Sequence, residues 1–237
     1  MPKPSQPLIR VIAIDGPVAS GKTVVGRELA ARLGWRMLDT GIMYRALTWY
    51  ALREGIELED HVKLAETARA VTIEIGAPPS DGLETASILI DSEDATAHLR
   101  EPQVEASVSS VAAVPGVRLQ MVAQQREQAK RGALVMVGRD IGTVVVPDAA
   151  LKIYLTASVD ARAERRAREM HAHGRDIPLA IVHDEIVRRD GRDANRDASP
   201  LLVAAGAIEL DTTDLDRDAV IQAVIDLVRK HAPELLS

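Results

Sequence analysis

The chain contains no cysteine. That excludes disulfides, thiolate zinc sites and cysteine nucleophiles together. It also suits a reducing compartment, so the cytoplasm is the expected location. Phenylalanine is absent as well, tryptophan occurs twice and tyrosine three times. A protein that stacks the bases of single strands needs aromatic platforms, which such a composition does not supply. Ala, Val, Leu and Ile must fill the core instead, as they do in buried parallel strands flanked by helices. No run approaches the roughly 20 apolar residues of a membrane span. The amino-terminal MPKPSQPLIRVIAID has neither a long apolar core nor a small-residue cleavage site, so neither a span nor a secretory leader is expected. A formal net charge of −6 disfavours a broad nucleic-acid surface. Any anion site must therefore be built locally. The six histidines are scattered. His171 and His173, two apart, fall on different sides of a helix and do not make the i, i+4 pair of a zinc helix.

Of what is present, periodicity speaks first. The 237 residues are enough for one domain, or one domain with insertions. Leu8 to Ile14 is an apolar run closed by Asp15-Gly16-Pro17, a strand and a turn. Lys22 to Leu33 carries helical spacing and stops at Gly34. Further strands are predicted at Arg36 to Leu38, Leu134 to Val137, Leu151 to Leu155 and Ala207 to Leu210. Helices are predicted at about Met43 to Arg53 and Arg217 to Lys230. Strands alternating with helices and no hairpin among them predict an α/β fold with a parallel sheet. Two stretches break the rhythm. From Val71 to Ile90, VTIEI and ASILID alternate around the turn-rich GAPPSDG, which predicts a small antiparallel insertion. Asp160 to Asp197 is charged and helical, with nine Arg, and most of it reads as a solvated face.

Gly16-Pro17-Val18-Ala19-Ser20-Gly21-Lys22-Thr23 matches G-x-x-x-x-G-K-[ST] in full, between a strand and an amphipathic helix, which is the context the motif needs. The glycines let successive N–H groups turn inward to phosphate oxygens, and the helix adds its positive dipole end. Lys22 is placed to reach the β and γ phosphates, and Thr23 to offer its hydroxyl to Mg²⁺. The motif specifies a nucleoside triphosphate. It leaves open a GTPase switch, an ATP-driven machine or a small-molecule kinase. No N-K-x-D segment reads guanine, and the apolar strand Leu134 to Val137 leads into Gly138-Arg139-Asp140, a poor match to the metal-binding strand of a motor. Small size and the Arg-rich late segment favour a kinase, whose lid must cover phosphates with positive charge and exclude water.

Four more motifs follow in order: Asp39-Thr40-Gly41 with Met43-Tyr44-Arg45; SSVAAVPGVR from Ser109 to Arg118; Gly138-Arg139-Asp140-Ile141-Gly142 with Val146-Pro147-Asp148-Ala149; and Arg189-Asp190-Gly191-Arg192-Asp193-Ala194-Asn195-Arg196. Together with the phosphate loop they resemble the bacterial-type cytidylate kinase family over nearly the whole chain. Each is weak alone, and their order makes them specific. The resemblance implies a P-loop nucleoside-monophosphate-kinase-like fold in a single domain spanning 1–237. It has a five-stranded parallel sheet with flanking helices, a monophosphate-binding region over about 40–118 with the antiparallel insertion, and a helical lid over about 160–197. It implies ATP as phosphoryl donor with Mg²⁺, and CMP and dCMP as acceptors. Composition and charge argue against a nucleic-acid polymer as partner, the absence of a long apolar run argues against a membrane, and no apolar seam stands out, so a monomer is expected. Thr40, Ser109, Arg118 and Asp140 would read the cytosine, and Tyr44, Arg189 and Asp193 the ribose. Arg45, Arg139 and Arg196 would hold the acceptor phosphate, and Arg192 would reach the transferring group. Guanidinium forks suit such a site, because an acceptor phosphate and ATP repel one another. Thr40 replaces a Ser and keeps the hydroxyl. Val146 stands where the family usually has Phe, and Ala194 where it has a longer polar residue. Two rivals remain: another small-molecule kinase of this fold, and a P-loop protein that only senses a nucleotide.

Overall fold

The computed structural model describes residues 10–76, 87–172, 174–196 and 198–236. In chain order the elements are β1 (Val11–Asp15), α1 (Lys22–Leu33), β2 (Arg36–Asp39), α2 (Thr40–Arg53), α3 (His61–Ala70), β3 (Ile73–Ile75), β4 (Ile88–Ile90), β5 (Glu93–Asp94), α4 (Pro102–Ala113), α5 (Pro115–Ala129), β6 (Leu134–Val137), β7 (Leu151–Thr156), α6 (Val159–Ala172), α7 (Leu179–Asn195), β8 (Ile208–Asp211) and α8 (Arg217–His231). Leu8 and Ile9 of the first predicted strand, residues 77–86 of the insertion, His173 and Asp197 lie outside the described residues. Among those described, no helix is long and apolar enough to cross a membrane.

The chain divides into two compact units. One comprises Met1–Leu38, Arg126–Asn195 and Ser199–Ser237, the other Asp39–Gln125 and Arg196–Ala198. The first is built on the predicted parallel sheet, in the order β2-β6-β1-β7-β8. β1 is central, with β6 and β7 parallel on either side of it. It is buried along its whole length, which explains why its sequence is a continuous apolar run and not an alternating one. Ile12, Ile14, Val135, Val137, Ile153 and Leu155 pack with Val25 and Leu29 of α1 and with Val220, Val224 and Val228 of α8. Helix α1 ends as its sequence dictates: Gly34 takes φ 65° and its N–H returns to the last carbonyls. The charged segment forms two helices, α6 and α7, with an apolar cluster of their own made by Ala163, Met170, Val182 and Ile186.

In the second unit, α2 begins at Thr40, three residues before the predicted start, because Asp39 accepts the Gly41 N–H at 2.9 Å and caps the helix. Three of the five aromatic residues of the chain, Tyr44, Trp49 and Tyr50, lie on α2. The Trp49 ring stacks on His98, and the Arg53 guanidinium lies 4.8 Å from the Trp49 ring centre. The insertion is antiparallel as predicted, with Ile73 opposite Ile90 and Ile75 opposite Ile88. A third strand, β5, joins it through Leu89 opposite Asp94. Two acidic residues carry no alternation, so pattern could not have found it.

Two glycines inside helices answer opposite constraints. A Cβ on Gly26 would lie 2.5 Å from Val137 Cγ2, whereas one on Gly191 would meet nothing within 4 Å. Overpacking costs about 1–3 kcal/mol and the gain in helix propensity returns about 1 kcal/mol. Gly26→Ala should therefore lower the free energy of unfolding in urea by up to about 2 kcal/mol, and Gly191→Ala should raise it by up to about 1 kcal/mol.

Candidate active site

The C-terminal ends of the strands carry the motifs, as open α/β sheets require of their ligand sites. β1 runs into the loop 16–23, β2 into Asp39-Thr40-Gly41, and β6 into Gly138-Arg139-Asp140. Gly16 takes φ 150°, and a Cβ there would fall 2.0 Å from the Leu155 carbonyl oxygen. Only glycine fits a loop that grazes the end of β7 so closely. Ala19 adopts φ 58°, a left-handed conformation that costs a residue with a Cβ roughly 1–2 kcal/mol. Gly21 is the N-cap of α1 at φ 88°, with no side-chain cap and no acidic residue in the first turn. The helix thus offers its first N–H groups and its positive end to an anion. Lys22 is buried, and its ammonium donates to the Pro17 carbonyl at 2.5 Å and the Ser20 hydroxyl at 3.1 Å.

The loop after β6 is held to β1. Gly138 N–H donates to the Ile14 carbonyl at 3.0 Å. Asp15, 4% exposed, accepts the N–H of Ile141 at 2.8 Å and of Gly142 at 2.7 Å, one on each carboxylate oxygen. Ile141–Val145 is a single π-helical turn, a form often found at functional sites. Burial, together with the charge of Asp140, pushes the Asp15 carboxyl up to about 6, against the pull of the two N–H donors and of Lys22.

Helix α7 presents Val182, Ile186, Arg189 and Asp193 on its buried face. Arg139 donates Nε to Asp193 at 2.9 Å, so a guanidinium and a carboxylate assigned to different parts of the acceptor meet directly. Arg189 lies 3.7 Å from Glu185, and Arg192 is exposed. Arg162 departs from the solvated-face reading of the charged segment. It is 4% exposed and donates to the carbonyls of Ala157 and Val18 and to Asp190 at 3.0, 3.1 and 2.6 Å. Asp190 also accepts the Val18 N–H at 3.3 Å. These two residues fasten the helices to the phosphate loop, whose Val18 and Ala19 also pack on their apolar cluster. In the sequence Arg162 is one of nine arginines in its segment, and Asp190 stands in the Arg189–Arg196 motif without a role of its own. Asp15 was read there only as part of a turn.

The second unit holds the remaining predicted residues. Thr40, Tyr44 and Arg118 are buried. The Arg118 guanidinium lies 5.5 Å from the centre of the Tyr44 ring and donates to the Ala112 carbonyl at 3.2 Å. Ser109 on α4 and Arg45 on α2 are half-buried, as is Arg196. A Cβ on Gly41 would come within 3.4 Å of Arg45 Nη1, so the small residue leaves room for the guanidinium.

A family model described as cytidylate kinase matches residues 12–230. The bifunctional pantoate ligase/cytidylate kinase of Synechococcus elongatus is 46% identical over 220 residues, covering 92% of this chain and 42% of that protein. The chain thus spans about two fifths of the bifunctional relatives it matches. The cytidylate kinase of Caldanaerobacter subterraneus subsp. tengcongensis is 43% identical over 93% of this chain and 95% of its own length. That of Symbiobacterium thermophilum is 43% identical over 93% and 96%.

The Arg162–Asp190 pair gives a test of how the helices are held. Its side chains are 5% and 22% exposed, and removing one partner of a buried pair leaves a charge without its counter-ion. Asp190→Ala should cost about 3 kcal/mol of unfolding free energy in urea, and adding Arg162→Met should recover part of that loss.

Proposed function

The chain belongs to the cytidylate kinase family, and on that premise we propose that it transfers the γ-phosphoryl group of ATP to CMP and dCMP, giving CDP or dCDP and ADP. The observation that carries the reading is the end of β1. There a glycine-lined loop with a buried lysine lies beside a second loop that bears Arg139 and Asp140.

An α-phosphate oxygen of the acceptor attacks the γ-phosphorus in line with the departing ADP oxygen. The acceptor oxygen is already ionised at neutral pH, so no general base is needed, and catalysis consists of positioning and charge stabilisation. The N–H groups of residues 16–23 cradle the donor phosphates. Lys22 exchanges its bonds to Pro17 and Ser20 for β and γ oxygens. Thr23 would hold Mg²⁺ through its hydroxyl, and the ion would supply charge neutralisation of the donor phosphates. The uncapped, acid-free start of α1 suits that assembly, because no carboxylate of its own first turn competes with an anion there. Arg45, Arg139 and Arg196 hold the acceptor phosphate. Arg139 already binds a carboxylate, Asp193, and a phosphate oxygen takes the same fork. Arg192 reaches the group in flight, and Arg189, Asp193 and Tyr44 hold the ribose. Thr40, Ser109, Arg118 and Asp140 read the base, since an amino donor beside N3 and O2 acceptors calls for a carboxylate and a guanidinium. Helices α6 and α7 close over the phosphates as a lid. The protein works in the cytoplasm, a reading supported by its lack of cysteine, and as a monomer.

Removing Lys22 tests the donor side. Lys22→Ala should lower kcat by about a hundred- to a thousandfold with the melting curve unchanged, the scale of one lost transition-state contact. A folded variant that retains near-normal turnover would overturn the cradle.

The acceptor side is tested by turnover of CMP, dCMP and UMP at saturating ATP. Uracil places a carbonyl where cytosine has its amino group, and a donor at N3. Two buried polar groups left facing the wrong partner predict a preference for CMP on the order of a hundredfold in kcat/KM. Asp140→Ala should lose most activity on CMP, little on UMP, and so compress the ratio. Wild-type protein that uses UMP as well as CMP sinks the cytosine reading; an unchanged ratio in the variant sinks only the role of Asp140.

A further inference from the structure

Arg139 and Asp140 stand on a two-residue bridge. On one side Gly138 N–H is held by the Ile14 carbonyl, and on the other Ile141 N–H is held by Asp15 Oδ1. Both anchors belong to consecutive residues of β1. The second anchor is doubled, because Gly142 N–H takes Asp15 Oδ2 at 2.7 Å. The loop has no slack behind it, since a Cβ on Gly142 would lie 3.1 Å from both Ala204 Cβ and Lys152 Cδ. Asp15 in turn is bonded to Gly16, where the phosphate loop begins. We infer that Asp15 is a positioning residue for phosphoryl transfer: its ionised carboxylate pins the loop bearing Arg139 and Asp140 to the strand that carries the phosphate cradle. This rests on the phosphotransfer reading above.

The charge itself points to function. A carboxylate that only closed a strand would be disfavoured here, since burial raises its pKa to about 6. The charged and titratable groups that face it are Asp140 and Lys22, with Tyr154 beside it on β7. The folded pKa lies above the ordinary aspartate value of 3.8. The stability that protonated Asp15 contributes is therefore full below about pH 4 and lost as pH rises through 6. Above that, the fold carries a charge it would be more stable without. Two amides need two acceptors, and only the ionised form supplies both. The neutral acid turns one oxygen into a donor, and asparagine does the same at every pH.

The experiment compares wild type with Asp15→Asn from pH 5 to 8. At pH 8 the variant should lose about tenfold to a hundredfold in kcat, the rate equivalent of one charged hydrogen bond. KM for ATP should hold, and the melting temperature should hold or rise, since the buried charge is gone. The wild-type to variant ratio should shrink towards one as pH falls through 6. The second ionisation of a phosphomonoester also lies near 6, but it is common to both proteins and cancels in the ratio. In wild type, NMR should show the amide protons of Ile141 and Gly142 moving with a midpoint near 6, and that movement should vanish in Asp15→Asn. The same loss excludes Asp140 as the titrating group. A ratio that stays flat with pH, or amides that do not titrate near 6, overturns the inference, and a variant of lower melting temperature with a flat ratio marks Asp15 as structural only. If the variant does not fold, the wild-type amides decide. A wild type that turns over no CMP fails the acceptor reading; the kcat ratio is then read with whichever monophosphate it does turn over, and the amide titration decides whether ionised Asp15 holds the loop.

Discussion

Where β1 ends, a buried carboxylate and a residue that can bear no side chain stand side by side. Asp15 spends both oxygens on the amides of Ile141 and Gly142, and Gly16 passes against the carbonyl of Leu155 with no room for a Cβ. The strand before them is wholly buried and paired on both sides, so neither residue can yield by moving β1. Both neighbouring strand ends are therefore referenced to one point. A phosphate loop needs such a reference, because its N–H groups act only if they are already aimed when the anion arrives.

The arginines show how cationic side chains serve a chain of net charge −6. Among the described residues, the buried Arg118 and Arg162 both donate to backbone carbonyls. Arg162 takes two carbonyls and a carboxylate, and Arg165 reaches the Thr212 hydroxyl at 2.9 Å and the Thr212 carbonyl. Taking a guanidinium out of water without such partners costs several kcal/mol. Arg139 is met by Asp193 in the same way. The difference lies in the partner. Val18 and Ala157 offer backbone carbonyls set by the fold, whereas Asp193 offers a side chain on α7, a helix with its own small core.

Aromatic poverty has a counterpart in the fold. Aliphatic side chains fill the core between the sheet, α1 and α8, and of the five rings only Trp35 packs against it. Three of the five lie on α2. There they do work that an aliphatic group cannot, since Tyr44 and Trp49 each face a guanidinium.

Local pattern and backbone chemistry determined much of this protein in advance. The ends of α1, the four residues of β6, the parallel sheet, the antiparallel insertion and the glycine-lined loop all follow from periodicity, from a glycine at a left-handed turn, or from a motif whose spacing encodes its geometry. Short-range rules suffice for these because the interactions that make them span a few residues. Tertiary structure alone decided which charges are buried and what they hold. Asp15 meets Ile141 across 126 positions and Asp190 meets Val18 across 172. Nothing near Arg162 distinguishes it from Arg168, yet one lies inside and the other in solvent. Likewise β5 exists only because β4 presents an edge to two acidic residues, and Ala19 takes a positive φ that its own side chain disfavours. Such features are fixed by neighbours distant in sequence, and the sequence names those neighbours without saying that they meet.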